Sequence, residues 1–188
     1  MPNWCNNGLE LAHKDPAMIE RAKAALANGA FFQEFVPCPD ELNDGDLTTW
    51  SHGPEQEARE KKQAEMVAKY GFKSWYDWNI ANWGTKWDCG DSSVEIVDGI
   101  LKASFETAWS PPVTFYEALV EQGFEVKAYY YEPGMAFVGK WEDGCDDYYE
   151  FGGETSATVR EAIGEELDDY FGISENMAEW ESEENGEF

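Results

Sequence analysis

A tryptophan-rich segment constrains the fold of this chain more than any other feature of its sequence. Residues 74–88, SWYDWNIANWGTKWD, hold four of the nine tryptophans, and TAWSPP at residues 107–112 adds another before two prolines. Each indole buries a large apolar area, yet its N–H still requires a hydrogen-bond acceptor. Such a cluster forms either the centre of a small core or a recognition surface. We favour the core, because soluble chains seldom expose so much aromatic area.

The net charge limits the partners that the chain can bind. Its 188 residues include 13 basic and 39 acidic side chains, which give a formal net charge of −26. Because this charge repels phosphates and anionic lipids, we expect no direct nucleic acid binding and no membrane binding. It favours partners with a basic surface, among them proteins that handle nucleic acid. A hydrophobic fraction of 43% still predicts an ordered domain with its own core.

Cysteine spacing and hydropathy indicate the cellular compartment. The four cysteines are widely spaced and include no CxxC pair, so we expect buried free thiols, with no metal and no cofactor. The first residues, MPNWCNN, lack the basic and apolar regions of a signal peptide, and no segment approaches the roughly 20 apolar residues of a membrane span. We therefore expect a protein of a reducing cytoplasm.

The spacing of apolar residues changes along the chain between the periods of strands and helices. It predicts a strand at residues 8–12, a helix from Pro16, a hairpin around Asp98-Gly99, a helix at 113–122 and a second hairpin at 124–141. A helical insertion is predicted at about 43–90. Its polar section up to Gly71, with a charged helix at 55–70, is expected to pack outside the core and to pass into a short helix with Trp75 and Trp78. This order predicts an α+β fold in which helices pack on one face of an antiparallel sheet.

The last quarter of the chain differs from the rest in charge. Residues 141–188 contain 17 of the 39 acidic side chains and a single basic one, Arg160, which leaves −16 on this region. Apolar residues at helical spacing over 158–171 predict one acidic amphipathic helix, and we expect residues 175–188 to be loose. We therefore divide the chain into a domain at 1–152 and an acidic C-terminal helix and tail at 153–188.

Several short motifs in order resemble a known family. They are MPNWCNN at the start, PCPDEL after the first helix, then NWGTKWD, TAWSPP and YEPGMAFVG. Together they are similar to the YubB-type ferredoxin-like family of phage and conjugative-plasmid proteins, over about residues 1–152. The resemblance implies a ferredoxin-like sheet and an origin in a mobile element. It implies no catalytic mechanism, and the cysteine spacing here could not hold an iron–sulfur cluster.

The first candidate site is a ligand pocket formed by the two tryptophan segments. Polar side chains stand among the aromatic ones there, as in many sites for small molecules. The pocket would bind a small ligand such as a nucleotide and would be lined by Trp78, Asn82, Trp83, Thr85, Lys86, Trp87 and Trp109. Alternatively, Gly84 forms a tight turn that these polar groups cap, and Lys86 forms a structural ion pair.

The second candidate site is the acidic C-terminal region. Carboxylates on a rigid domain can reproduce the phosphate spacing of a duplex, so that a basic cleft binds the protein instead of DNA. We hypothesise that this DNA-mimic surface inhibits a host defence system by binding a basic, nucleic-acid-handling host protein. The contact residues would be Asp143, Asp146, Asp147, Glu161, Glu165, Glu166, Asp168, Asp169, Glu179 and Glu181. Alternatively, the charge serves solubility alone.

No arrangement of catalytic residues is visible in the sequence. His13 and His52 lack the spacing of a zinc site, and Ser110 precedes a proline outside any GxSxG motif. The acidic pairs do not follow the spacing of a calcium-binding loop. We therefore predict a protein without catalytic activity. An enzyme with an unrecognised site is the last alternative.

Overall fold

The central strand of the sheet is β1, Trp4–Ala12. In this computed structural model, which describes residues 3–49, 52–90 and 92–186, β1 lies between β3 and β4 and pairs antiparallel with both. Leu9 and Leu11 are fully buried, since residues two apart on a strand face the same side of a sheet. The alternation at residues 8–12 predicted this strand, which begins four residues earlier than expected.

Six strands form one antiparallel sheet in the order β2-β3-β1-β4-β5-β6. The remaining strands are β2 Ser92–Val97, β3 Ile100–Ala108, β4 Glu125–Glu132, β5 Phe137–Glu142 and β6 Cys145–Glu150. The turn between β2 and β3 is formed by Asp98 and Gly99, which have φ values of 53° and 83°. This positive φ at both positions is what a two-residue hairpin needs. The predicted α+β class with an antiparallel sheet is confirmed.

The helices follow local signals at their first residues. In the described ranges they are α1 Pro16–Ala27, α2 Phe31–Phe35, α3 Pro54–Tyr70, α4 Trp75–Trp83, α5 Val113–Glu121, α6 Val159–Ile163, α7 Glu165–Phe171 and α8 Ile173–Gly186. The Asp15 carboxylate accepts a hydrogen bond of 2.9 Å from the Ala17 backbone N–H and caps α1, which begins at Pro16 as predicted. None of these helices combines the length and apolar character needed to cross a bilayer.

The main core lies between one face of the sheet and helices α1, α2, α4 and α5. Its centre is aromatic, with ring centroids 4.5–6.4 Å apart among Phe31, Phe32, Phe105 and Phe115. Helix α3 buries no side chain completely, in agreement with a position outside the core. Helix α4 contributes Trp78 and Trp83 to the core. This agrees with the core interpretation of the tryptophan segment, since the section expected outside the core ends at Gly71.

Helices α6, α7 and α8 pack on the opposite face of the sheet. Their apolar side chains join those of β4 and β5 in a second cluster that contains Tyr129, Val138, Phe151, Val159, Ile163, Leu167 and Ile173. The prediction of helices on one face alone is therefore wrong. The reason is that alternate residues of β4 and β5 present apolar groups on both faces of the sheet, which needs a second layer of helices.

The C-terminal region forms three short helices instead of one helix and a loose tail. Gly164, at φ 87°, separates α6 from α7, and Gly172, at φ 63°, separates α7 from α8. Glycine adopts these positive φ values at little cost, so each glycine ends a helix. Residues 175–186, expected to be loose, belong to α8. Residues 187 and 188 of the predicted tail lie outside the described residues.

Replacement of Gly8 by alanine is expected to loosen α6–α8 without disturbing the main core. Tyr170 of α7 stacks on Tyr129 at 4.2 Å and its hydroxyl lies directly over Gly8, where an added Cβ would overlap it. Hydrogen exchange should therefore accelerate at residues 159–183 and stay unchanged in α1 and α5. Gly90→Ala, which adds a Cβ into open space, is the control. Uniform acceleration along the whole chain would contradict this expectation.

Candidate functional site

Strand β6 and helices α6–α8 display most of the predicted contact carboxylates. We call the exposed carboxylates of residues 142–183 the acidic surface. Strand β6 is the last strand of the sheet, and all six of its side chains are exposed. The predicted contact residues exposed on this surface are Asp143, Asp146, Asp147, Glu161, Glu165, Glu166, Asp169 and Glu179. The structure therefore brings most of the predicted set to two adjoining parts of the fold.

Asp168 does not belong to the acidic surface. Its side chain is buried and accepts hydrogen bonds from the Ser174 backbone N–H and hydroxyl, both at 2.7 Å, and from the Arg160 guanidinium at 2.9 Å. Burial by itself would raise the pKa of Asp168, but the bonds from Ser174 and Arg160 outweigh it and lower the pKa. The prediction that Asp168 contacts a partner is wrong, because its carboxylate joins α6, α7 and α8.

Glu181 and Asp143 also have partners within the protein. The Glu181 carboxylate accepts hydrogen bonds from the Ser156 hydroxyl at 2.6 Å and backbone N–H at 2.9 Å, which lower its pKa. These bonds fix α8 to the segment before α6. The Asp143 carboxylate accepts a bond of 3.1 Å from the Val126 N–H. Glu181 is only half exposed, so it contributes less to the acidic surface than predicted.

Two tyrosines of β4 hold acidic side chains at fixed positions. The Tyr130 hydroxyl donates to Asp146 at 2.6 Å, and the Tyr129 hydroxyl donates to Glu166 at 2.6 Å. The bond from Tyr129, followed by the ammonium of Lys140 at 3.3 Å, lowers the pKa of Glu166. These carboxylates are therefore both exposed and anchored. Exposed predicted residues without a side-chain hydrogen bond among the described contacts include Asp147, Glu161, Glu165 and Glu179.

The residues of the predicted aromatic pocket divide between the core and the surface. Trp78, Trp83 and Thr85 are buried, in agreement with the core interpretation of the tryptophan segment. The Trp83 indole N–H donates to the Val36 carbonyl at 2.8 Å, and the Thr85 hydroxyl donates to the Ala108 carbonyl at 3.0 Å. Their polar groups are thus used inside the fold. These three residues cannot line a ligand pocket.

The remaining polar groups of the segment stabilise turns, as the alternative interpretation predicted. The Asn82 amide donates to the Trp78 carbonyl one helical turn earlier, at 2.8 Å. Gly84 ends α4 with φ 83°, and its carbonyl accepts a hydrogen bond of 2.7 Å from the Ser110 hydroxyl. This bond joins the two tryptophan segments. The Asp88 carboxylate accepts bonds from two backbone N–H groups at the start of α2.

An exposed aromatic cluster is formed by Trp4, Tyr76, Trp87 and Trp109 around Lys86. The four rings are 38–43% exposed, which is unusual for side chains of this size. The Lys86 ammonium lies over the rings of Trp87 at 4.2 Å, Trp109 at 5.3 Å and Tyr76 at 5.7 Å, as in a cation–π interaction. No ion pair of Lys86 is found within the described ranges, so the predicted ion pair is replaced by contact with aromatic rings.

The aromatic cluster contains a backbone conformation that is rare for its residue. Trp109 has φ 69°, which bulky side chains seldom adopt, and its N–H donates to the Asn3 carbonyl at 2.9 Å. Such strain is common at functional sites. Trp4 and Tyr76 were not among the residues predicted for the aromatic pocket. The alternation seen at residues 8–12, extended toward the N-terminus, would have placed Trp4 in the same strand. There Trp4 pairs with Ala108, the residue before Trp109.

Burial limits the reactivity of most of the cysteine thiols. Cys145 is exposed on β6, contrary to expectation, whereas the other three cysteines are buried. Burial raises the pKa of Cys5 and Cys89 to about 12 and that of Cys38 to about 11, so these thiols stay protonated near neutral pH. Over residues 3–49, 52–90 and 92–186, no three His, Cys, Asp or Glu side chains are grouped as metal ligands.

A groove of about 530 Å³ lies beside α7 on the part of the sheet formed by β1, β2 and β3. Its lining includes Asn6, Ser93, Ser104, Glu106 and Tyr170. None of the residues predicted to form the aromatic pocket lines this groove. The groove is therefore a feature of the sheet face that is separate from both candidate sites.

The fold and its surfaces define an acidic α+β protein with a six-stranded antiparallel sheet covered by helices on both faces. No protein-family model and no curated protein matches the chain. A solved structure similar to it is the crystal structure of the protein api92 from Yersinia pseudotuberculosis, of family model DUF1281. The two share 14% identity over 82% of this chain and 99% of that chain, with a TM-score of 0.46. A similarity at this level does not indicate a function for this chain.

Proposed function

We propose that this protein is a non-enzymatic phage or plasmid accessory protein that inhibits a host defence system. Its acidic surface would bind a basic, nucleic-acid-handling host protein in place of DNA. The observation that carries this proposal is the exposure of the predicted carboxylates on β6 and α6–α8, in a region where Arg160 is the only basic residue. Such a surface attracts a cationic partner and speeds its association.

The contacts that fix the positions of the carboxylates on the acidic surface support the same proposal. A DNA mimic needs carboxylates at fixed spacing, because a surface ordered before binding loses less entropy on binding. The second apolar cluster docks α6–α8 on the sheet. Asp168 joins three helices, Tyr129 of this cluster fixes Glu166, and Tyr130 of the main core fixes Asp146. The exposed charges therefore stand on a rigid scaffold.

We further infer that the first four strands form a ferredoxin-like core of the YubB type. The chain order β1-α1-β2-β3-α5-β4, with the sheet order β2-β3-β1-β4, supports this inference because it corresponds to two interleaved split βαβ units. Strands β5 and β6 then extend that sheet beyond β4. Host proteins that handle nucleic acid act in the cytoplasm, so we place this protein there too.

Neutralising part of the acidic surface is expected to weaken capture of the partner about ten-fold, or ~1.4 kcal/mol, through loss of charge attraction. The variant replaces exposed residues that are free of structural hydrogen bonds: Asp147→Asn, Glu161→Gln, Glu165→Gln and Glu179→Gln. Tagged protein is incubated with bacterial lysate at low salt, and bound proteins are quantified by mass spectrometry. The captured protein should be released by duplex DNA and by high salt.

The control changes the same number of charges on α1, α3 and α5. It carries exposed substitutions outside the acidic surface, namely Glu20→Gln, Glu57→Gln, Glu117→Gln and Glu121→Gln. This control should capture the nucleic-acid-handling protein as the wild type does. Equal loss in both variants would show that net charge alone matters, and capture that duplex DNA does not reverse would exclude a DNA-mimic surface.

A second candidate function follows from the exposed aromatic cluster. Trp87 and Trp109 present exposed rings on which a base could stack, and the Lys86 ammonium beside them could pair with a phosphate. If a nucleotide binds there, nucleotides or cyclic nucleotides should raise the melting temperature of the wild type. Trp109→Ala should abolish that increase. A melting temperature that stays constant across the ligand series would exclude this function.

A further inference from the structure

The outer edge of β6 carries unpaired backbone groups. Strand β6 is the last in the sheet order and pairs only with β5 in the described chain. The Phe151 N–H donates to the Ala136 carbonyl at 2.9 Å, just beyond the last pair of β5 and β6. Because hydrogen-bonded pairs alternate along an antiparallel ladder, the odd-numbered residues of β6 bond to β5. The N–H and C=O groups of Asp146, Tyr148 and Glu150 therefore point away from the sheet.

The protection of this edge against strand addition is limited to acidic side chains. Natural sheets protect an open edge with charged side chains, especially lysine, or with proline, a bulge or a covering segment. Strand β6, CDDYYE, contains no proline or lysine, and all six side chains are exposed. The opposite edge strand, β2, is different: its alternate side chains are half-buried, and the Ser92 hydroxyl donates to the Leu26 carbonyl of α1 at 2.9 Å. Strand β6 is therefore the more accessible edge.

Contacts within the hairpin keep the edge in an extended shape. The Asp146 carboxylate is bonded to the buried Tyr130 hydroxyl. The Tyr148 ring packs against Phe137 at 5.5 Å, and its hydroxyl donates to Glu150 at 3.1 Å. These contacts involve the side chains of Asp146, Tyr148 and Glu150. They do not use the N–H and C=O groups of the same residues, which point away from the sheet. An incoming strand would thus meet an ordered edge and lose less entropy on pairing.

The charge of the edge decides which kind of strand can occupy it. The strand and its preceding turn carry Glu142, Asp143, Asp146, Asp147 and Glu150, with no basic residue in β6. A second copy of this chain paired on β6 would place carboxylates opposite carboxylates, which destabilises a strand pair. An extended segment with Lys or Arg at alternate positions would place opposite charges together. The edge therefore selects a basic segment of a different protein.

We propose that an extended, basic segment of the partner protein adds to β6 as a further strand of the sheet. This inference rests on the proposed function, because it specifies how the partner binds the acidic surface. Hydrogen bonds would form between the segment and the backbone of Asp146, Tyr148 and Glu150. Carboxylates on β6 would pair with its basic side chains. In strand addition, the main chain supplies affinity and the side chains supply specificity.

The test uses a synthetic peptide that alternates lysine and valine as the probe for a basic strand. Tyr148→Pro removes an outward N–H and places a proline ring in the path of an incoming strand, while the hydrogen bonds to β5 are kept. Tyr148→Thr removes the same aromatic ring but keeps the N–H, so it is the matched control. Titration calorimetry should give a dissociation constant about ten-fold higher for Tyr148→Pro than for Tyr148→Thr.

A second measurement needs no variant of the protein. The same peptide with methyl groups on alternate backbone nitrogens keeps its charge but cannot complete a ladder, so it should bind the wild type about ten-fold more weakly. If both peptides bind equally and both Tyr148 variants bind alike, strand addition is wrong. Loss of capture in the four-carboxylate variant would then still support the acidic surface. If that variant also captures its partner normally, both proposals fail.

Discussion

Replacement of Asp168 by alanine is expected to lower the free energy of unfolding by about 3 kcal/mol. Hydrogen bonds to a charged acceptor contribute about 1.5–3 kcal/mol each, and the buried Asp168 carboxylate accepts two from Ser174 and one from Arg160. The Arg160 side chain is 43% exposed, so water replaces part of its loss. Ser174 is partly buried, so water compensates less for the loss of its two bonds. Urea unfolding at neutral pH measures the difference.

Asp169→Ala is the matched control for this experiment. Asp169 is the next residue in α7 and also pairs with Arg160, at 2.6 Å, but its side chain is 65% exposed. An exposed ion pair contributes little, so the control should change the free energy of unfolding by less than about 1 kcal/mol. Equal losses for Asp168→Ala and Asp169→Ala would mean that the Asp168 carboxylate does not join the three helices.

The stabilisation by Asp168 is expected to depend on pH. Burial opposes ionisation of this carboxyl, but the bonds from Ser174 and Arg160 prevail, so the pKa is lower in the folded state than in the unfolded chain. The contribution is therefore complete above the unfolded pKa of about 3.9 and is lost as pH falls through the lower folded pKa. The difference between wild type and Asp168→Ala should accordingly shrink below about pH 4, as urea unfolding across pH would show.

The elements that the sequence predicted best depend on neighbouring residues. Asp15-Pro16 starts α1, and Asp98-Gly99 closes the first hairpin, because capping and positive φ are properties of the residues themselves. The second layer of helices could not be predicted in this way. It depends on Tyr129 and Val138 facing the side of the sheet opposite the main core, which becomes clear only once the strands are paired. Tertiary packing determined that part of the fold.

The same distinction applies to the candidate sites. Asp168 and Asp169 are adjacent and chemically identical, yet one is buried and the other is exposed. Composition identified an acidic region but could not separate carboxylates exposed on the surface from carboxylates that hold the helices together. Lys86 shows the same limit, because no sequence pattern indicated that its ammonium would lie over the rings of Tyr76, Trp87 and Trp109. Both outcomes depend on how helices and loops pack against one another, which the residue types alone do not determine.

Replacement of Gly139 by alanine is expected to destabilise the protein by about 3 kcal/mol, near the upper end for an overpacked core. A Cβ at this position of β5 would overlap the Tyr130 ring and lie 2.7 Å from the Asp147 carbonyl oxygen on β6. Tyr130 is fully buried, and its hydroxyl is bonded to Asp146, so the ring has no room to move. The strain must therefore shift the backbone of β6. Urea unfolding should show the loss, and binding of the lysine–valine peptide should weaken with it.

Gly152→Ala is the control, since its Cβ would meet only a methyl group 3.9 Å away and should change stability by less than about 0.5 kcal/mol. A double variant then tests the cause. Tyr130→Val alone leaves a cavity and should cost about 2–4 kcal/mol, but it also makes room for the added methyl group. Gly139→Ala combined with Tyr130→Val should therefore lose at least 1 kcal/mol less than the two single losses together. Additive losses would mean that Tyr130 does not explain the need for glycine, and that the β6 backbone alone excludes a side chain there.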